Sequence, residues 1–130
     1  MKALTLLLII LISGCTLEYA DYSAEMQWVY DSIEYKSDVY DEWQLPLDTL
    51  VLGTGDCEDM AILFLWRVYT TYGIKGTAVV VIVRDTYQFH MVAEIGGEYY
   101  NVTFNAKEEG FDKVIISYNY DMLMIMATLW

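Results

Sequence analysis

The sequence predicts an α+β fold in which a cysteine-bearing helix packs on an antiparallel sheet, and three observations predict it. From Asp56 to Tyr72, the residues Cys57, Ala61, Phe64, Leu65 and Val68 recur on one helical face. Asp56 is placed to cap the start of that helix and Gly73 to end it. Thr77–Val83 is continuously apolar and β-branched, the composition of a strand buried on both faces. Residues 87–95 alternate, and Gly96-Gly97 then supply a tight hairpin turn into a third strand over 98–103.

The remaining elements follow from weaker signals. Met26, Val29, Tyr30 and Ile33 lie at helical spacing, which predicts a helix over 24–35. Residues 36–55 hold the only proline, Pro46, together with Gly53 and Gly55, and read as a largely irregular approach to the cysteine helix. A fourth strand is expected over 113–118. The apolar, methionine-rich stretch 121–130 reads as a helix on the sheet.

A chain of 130 residues is one domain at most. Its apolar fraction, 56%, is raised by its first residues, where Lys2 precedes an almost unbroken apolar run from Ala3 to Ile12. That run is shorter than the ~20 residues a bilayer span needs, and it suits the core of a secretory signal. Ile12-Ser13-Gly14-Cys15 then resembles a lipobox, in which the cysteine thiol receives a diacylglycerol. The expected organisation is a signal peptide at 1–14, lipidated Cys15 with a tether at 15–23, and the folded domain at 24–130. The domain would then be exported and lipid-anchored to the cell envelope, on its periplasmic or extracellular face. The plainer alternative is an amphipathic or membrane helix that happens to contain a cysteine. The formal charge of −12 repels phosphate backbones, which argues against nucleic acid as a partner. It also repels anionic headgroups, so the acyl chains, with no basic patch to help, would hold the protein to the membrane.

Lipidation of Cys15 would leave Cys57 as an unpaired thiol outside the cytoplasm. The chain has one histidine, His90, so any cysteine–histidine pair must be Cys57 with His90. A helix N-terminus stabilises a thiolate through its unpaired N–H groups, and a nearby imidazole can store and return the proton. The same N–H groups can bind an oxyanion. Each residue also has a plainer role, since lone cysteines on apolar helix faces usually fill core and lone strand histidines are usually structural. Two features weigh against it. Cys57 sits in a Gly-Thr-Gly-Asp-Cys-Glu-Asp context, and His90 falls opposite its larger apolar neighbours Phe89 and Met91.

The run from Asp41 to Leu50 with Trp43 and Pro46, followed by Gly55-Asp56-Cys57-Glu58-Asp59-Met60-Ala61, resembles the bacterial transglutaminase-like cysteine proteinases. Tyr72-Gly73-Ile74 and a strand-borne histidine ahead of a glycine turn extend the resemblance over roughly 40–105. It implies a papain-like/transglutaminase-like core, with Cys57 as nucleophile, His90 as its partner, and amide hydrolysis or acyl transfer on a protein or peptide substrate. The family's usual third residue is an Asp on the next strand, which this chain lacks. Asn101 is the first choice of orienter, with Thr103 and Asn105 as alternatives, because a neutral amide oxygen can hold an imidazole N–H. Trp43 and Gln44 are candidate cleft residues, Gln44 a candidate oxyanion donor.

Asp56, Glu58 and Asp59 pose an electrostatic problem, because like charges raise a thiol's pKa. Either they point away, with Asp56 as a cap, or a cation neutralises them. The resemblance implies Ca²⁺, whose hard-oxygen preference these residues match. No cofactor is otherwise required. Three readings result: a cell-envelope cysteine peptidase or amidase, a catalytically impaired binding module holding a peptide or cell-wall fragment, and a structural surface lipoprotein.

Overall fold

The computed structural model describes residues 20–40, 42–83, 88–108 and 110–129. The expected signal peptide, Cys15 and most of the tether lie outside them. Twelve elements follow in chain order: helix α1 (Ser23–Ser32), strand β1 (Glu34–Tyr35), helix α2 (Pro46–Leu52), strand β2 (Thr54–Gly55), helix α3 (Cys57–Tyr72), strands β3 (Thr77–Val83), β4 (Phe89–Ile95) and β5 (Glu98–Asn101), a 3-10 turn (Val102–Phe104), strands β6 (Ala106–Glu108) and β7 (Phe111–Asn119), and helix α4 (Tyr120–Leu129).

Helix α3 is the centre of the molecule. Met60, Ala61, Ile62, Leu63, Phe64, Leu65 and Val68 are all buried, so the helix is apolar and covered on every side over 60–65 and emerges to solvent toward Tyr72. Strand β4 covers one side through Met91 and Ala93, and α1, α2 and α4 pack on others. Phe64 meets Tyr100 of β5 with ring centroids 5.2 Å apart, joining helix to sheet at the middle of the core. Packing also reaches back to Tyr22, whose N–H donates to the Tyr100 hydroxyl at 3.3 Å. The packed domain therefore includes residues of the expected tether.

The five-stranded sheet runs β6-β5-β4-β3-β7 and is antiparallel throughout. Gly96 and Gly97, with φ of 61° and 84°, make the two-residue turn between Ile95 and Glu98, and both positions need the left-handed region. Strand β3 is buried at Ala78, Val79 and Val81 but only half-buried toward Val83. The expectation of burial on both faces therefore fails at its end, which opens onto a cleft. The third strand also stops earlier than expected, at Asn101, where the 3-10 turn and left-handed Asn105 (φ 51°) bend the chain into β6.

The main correction falls on 36–55, which was expected to be largely irregular. Pro46 sits at the first turn of α2, where its missing N–H costs nothing, so the proline starts a helix instead of breaking one. Strands β1 and β2 then pair in parallel, and Lys36 N–H reaches Gly55 O at 2.9 Å, clamping the chain just before Cys57.

Candidate active site

Asp56 and Asp59 fix the start of α3. Asp59 N–H donates to the Asp56 side chain at 3.3 Å, and Asp56 N–H donates to Asp59 Oδ2 at 3.2 Å. This reciprocal capping box leaves Asp59 Oδ1 to accept Gln44 N–H at 2.8 Å. Asp59 therefore binds the approach segment to the helix terminus. Burial pushes its pKa up to about 7, against the Gln44 N–H and with the charge of Asp56.

Cys57, the first residue of α3, is half-buried and unpaired. Its thiol donates to Glu58 Oε2 at 3.4 Å. The backbone N–H of Met91 also reaches the sulfur, which brings the peptide next to His90 against the helix terminus. Burial first, and then the charge of Glu58, push the thiol up to about 12, with the Met91 N–H pulling the other way. Glu58 is itself raised to about 8 by burial and by a hydrogen bond with Asp56. Helix-terminus stabilisation is thus outweighed by desolvation and neighbouring acid.

His90 arrives from β4. Its Nε2 lies 2.9 Å from Asn101 Oδ1. The β4–β5 register, continued one step beyond Ala93 and Tyr100, sets Asn101 across from Val92 and diagonal to His90 on the same face. Asn101 is buried, and its Nδ2 donates to Glu108 Oε1 at 2.9 Å. Phe104 lies against the imidazole, with ring centroids 5.9 Å apart. Cys57 and His90 line one cleft of about 600 Å³, with Tyr30, Tyr35, Phe89 and Phe104 among its walls.

The other sequence-derived candidates are dispersed. Thr103 lines the same cleft, and its buried hydroxyl has no hydrogen-bond partner. Asn105 turns away, donating to Gln27 Oε1 of α1 at 2.5 Å. Trp43 and Gln44 line a separate hollow of about 410 Å³ with residues of α2 and α4. There Trp43 packs edge-on against Tyr118 and the Gln44 side chain accepts from Thr49. Glu108 was not among the candidates. Its signal in the sequence was the second end of the Asn101 amide, which a buried position obliges to find an acceptor.

Among the described residues no group of three His, Cys, Asp or Glu side chains is arranged to hold a metal ion. Both Asp59 oxygens are occupied by backbone N–H groups, which leaves Asp56 and Glu58, sharing a hydrogen bond. As arranged, the three acids fall short of the six to eight oxygens calcium takes.

An α-helix with a cysteine at its first residue, wrapped by an antiparallel sheet that carries a histidine to the same cleft, defines a papain-like/transglutaminase-like domain. Solved structures share this fold. LapG from Legionella pneumophila is 19% identical with a TM-score of 0.61, matching 80% of this chain and 68% of its own. Its calcium-bound form is 18% identical with a TM-score of 0.63 over the same shares. A candidate cysteine protease from Cytophaga hutchinsonii is 23% identical with a TM-score of 0.56, over 78% of this chain and 37% of its own. No family model matches the chain, and no curated protein does.

Proposed function

We propose that this protein is an exported, lipid-anchored cysteine peptidase that hydrolyses an amide bond in a protein or peptide. The observation that carries the proposal is that Cys57 and His90 line one cleft, with His90 Nε2 lying 2.9 Å from Oδ1 of buried Asn101. With Nε2 committed to Asn101, Nδ1 is the nitrogen left to act as base. It takes the thiol proton as sulfur attacks the carbonyl carbon, then gives it to the departing amine as the C–N bond breaks. Water releases the acyl group from sulfur by the same proton traffic in reverse. Backbone N–H groups at the start of α3 stabilise the oxyanion.

The anchor rests on sequence alone: Lys2, the apolar run, and Ile12-Ser13-Gly14-Cys15. Calcium enters the proposal only as a counter-ion to Asp56 and Glu58 once Glu58 is ionised. The second reading, a binding module that keeps the cleft without turnover, is favoured by one observation, the Cys57 thiol donating to Glu58 Oε2 at 3.4 Å.

Iodoacetamide labelling with peptide mapping separates the two and distinguishes Cys57 from Cys15. Peptidase chemistry expects selective modification of Cys57, slowed about 10-fold or more by His90→Ala. Labelling of Cys57 that is indifferent to His90 would leave the binding module. Any cleavage retained by Cys57→Ala would overturn the assignment of the nucleophile.

A further inference from the structure

The family resemblance expects a carboxylate beside the histidine, and the chain offers an amide, Asn101. An amide is ambiguous, because either end can face a ring nitrogen. With its NH₂ toward His90 it would force a lone pair onto Nε2 and a proton onto Nδ1, the tautomer that cannot accept from a thiol. Something must decide which way Asn101 points.

Glu108 does so by chemistry. An ionised carboxylate accepts hydrogen bonds and donates none, so the amide end that meets it has to be the NH₂. Asn101 Nδ2 lies 2.9 Å from Glu108 Oε1, and Oδ1 then faces His90 Nε2 at 2.9 Å. Oδ1 accepts only, so Nε2 carries the proton and Nδ1 the lone pair. The three residues sit on adjacent strands: His90 on β4, Asn101 on β5 and Glu108 on β6, with Asn101 paired to Ala106 at the β6 end. Asn101 is buried, which removes water as a competing partner for its amide.

We infer that Glu108 is a positioning residue for His90: through Asn101 it fixes the imidazole tautomer and returns to the site, one residue further out, the carboxylate missing from the third position. The inference rests on the peptidase reading for its consequence but not for its test. The chain has a single histidine, so its ¹⁵N-labelled ring reports the tautomer without overlap.

The experiment compares Glu108→Met, which keeps the volume and removes the acceptor, with Glu108→Gln, which keeps an acceptor oxygen but adds a donor. Both are made in the full chain and in the Cys57→Ala background, where the ring is read with no thiol chemistry present. Wild type is expected to show the Nε2–H form. Glu108→Met should mix the two tautomers and slow Cys57 alkylation by roughly 10–100-fold, the range typical of partners that support a functional histidine. Glu108→Gln, whose amide can donate as well as accept, should also mix the tautomers, because only a partner that accepts and never donates orients Asn101. A folded Glu108→Met protein with an unmixed Nε2–H ring overturns the inference, as does a wild-type ring in the Nδ1–H form. If instead the tautomer responds while Cys57 labelling does not, the positioning role stands and the peptidase reading fails.

Discussion

Glu58 Oε2 accepts the Cys57 thiol proton at 3.4 Å, so the residue that follows the sulfur holds it in its neutral form. The carboxylate adds charge repulsion to a thiol that burial has already raised. Glu58→Gln removes the charge while keeping the size. The alkylation midpoint of Cys57 should fall by about one pKa unit, giving a roughly ten-fold faster reaction at a fixed pH below it. An unchanged or slower rate would show that Glu58 does not govern the thiol.

The acids at the helix start also set a pH dependence of stability. Glu58 is raised from 4.5 to about 8 and Asp59 from 3.8 to about 7, so the folded protein binds more protons than the unfolded chain across that span. Their contribution is fully present below about pH 4 and is lost as pH climbs to 8. Cys57 acts with the same sign in the alkaline range, between its ordinary value of 9 and about 12. Thermal melts should show a Tm lower at pH 8 than at pH 4.5 by on the order of 5 °C. Glu58→Gln should flatten that slope, and a Tm that rises over the interval would contradict the account.

Gly55 makes the closest approach at the helix start. A Cβ there would stand 2.7 Å from Asp59 Cβ and 3.2 Å from Asp59 Oδ2. Asp59 Cβ is rooted in the first turn of α3 and cannot swing aside, so the capping box must give way. Gly55→Ala should cost about 1–3 kcal/mol in urea unfolding. Gly110→Ala, with nothing within 4 Å of the added carbon, serves as the control and should stay within about 0.5 kcal/mol.

Calcium has a test of its own. If the ion acts as counter-charge to Asp56 and Glu58, millimolar CaCl₂ should raise Tm at pH 8 and do little at pH 5, where Glu58 is protonated. Ten times the Kd corresponds to about 1.4 kcal/mol. A Tm indifferent to CaCl₂ and EGTA at pH 8 removes calcium from the proposal.

How much of this was legible depended on how local each signal was. The Asp56 cap, the Tyr72-Gly73 end and the Gly96-Gly97 turn are encoded within a few residues, and α3 and the β4–β5 hairpin could be read from them. Strands β3 and β7 and helix α4 were also anticipated, with β7 running longer than expected. Helix α2 escaped because Pro46 was weighed as a breaker, although at a first turn it is an initiator. Strands β1, β2 and β6 are too short to show a period, and only pairing defines them. At the site, the family pattern offers Asn101 or Thr103 in the third position, and Asn101 lies beside His90. Parity also pointed to Asn105, which the turn at 102–104 carries toward α1 instead. The places of Trp43 and Gln44 in the α2–α4 hollow depend on how α2 docks, which no local pattern states.

The imidazole and the two side chains behind it come from one stretch, 90–108, joined by tight hairpins. The sulfur comes from a separate helix that must dock before it can face them. Short hairpins close with little loss of chain entropy, so the half that carries the imidazole can assemble early. Cys57 and His90 come to line one cleft only when the core around Phe64 and Tyr100 is complete. A partly folded chain would therefore hold the sulfur and the imidazole apart.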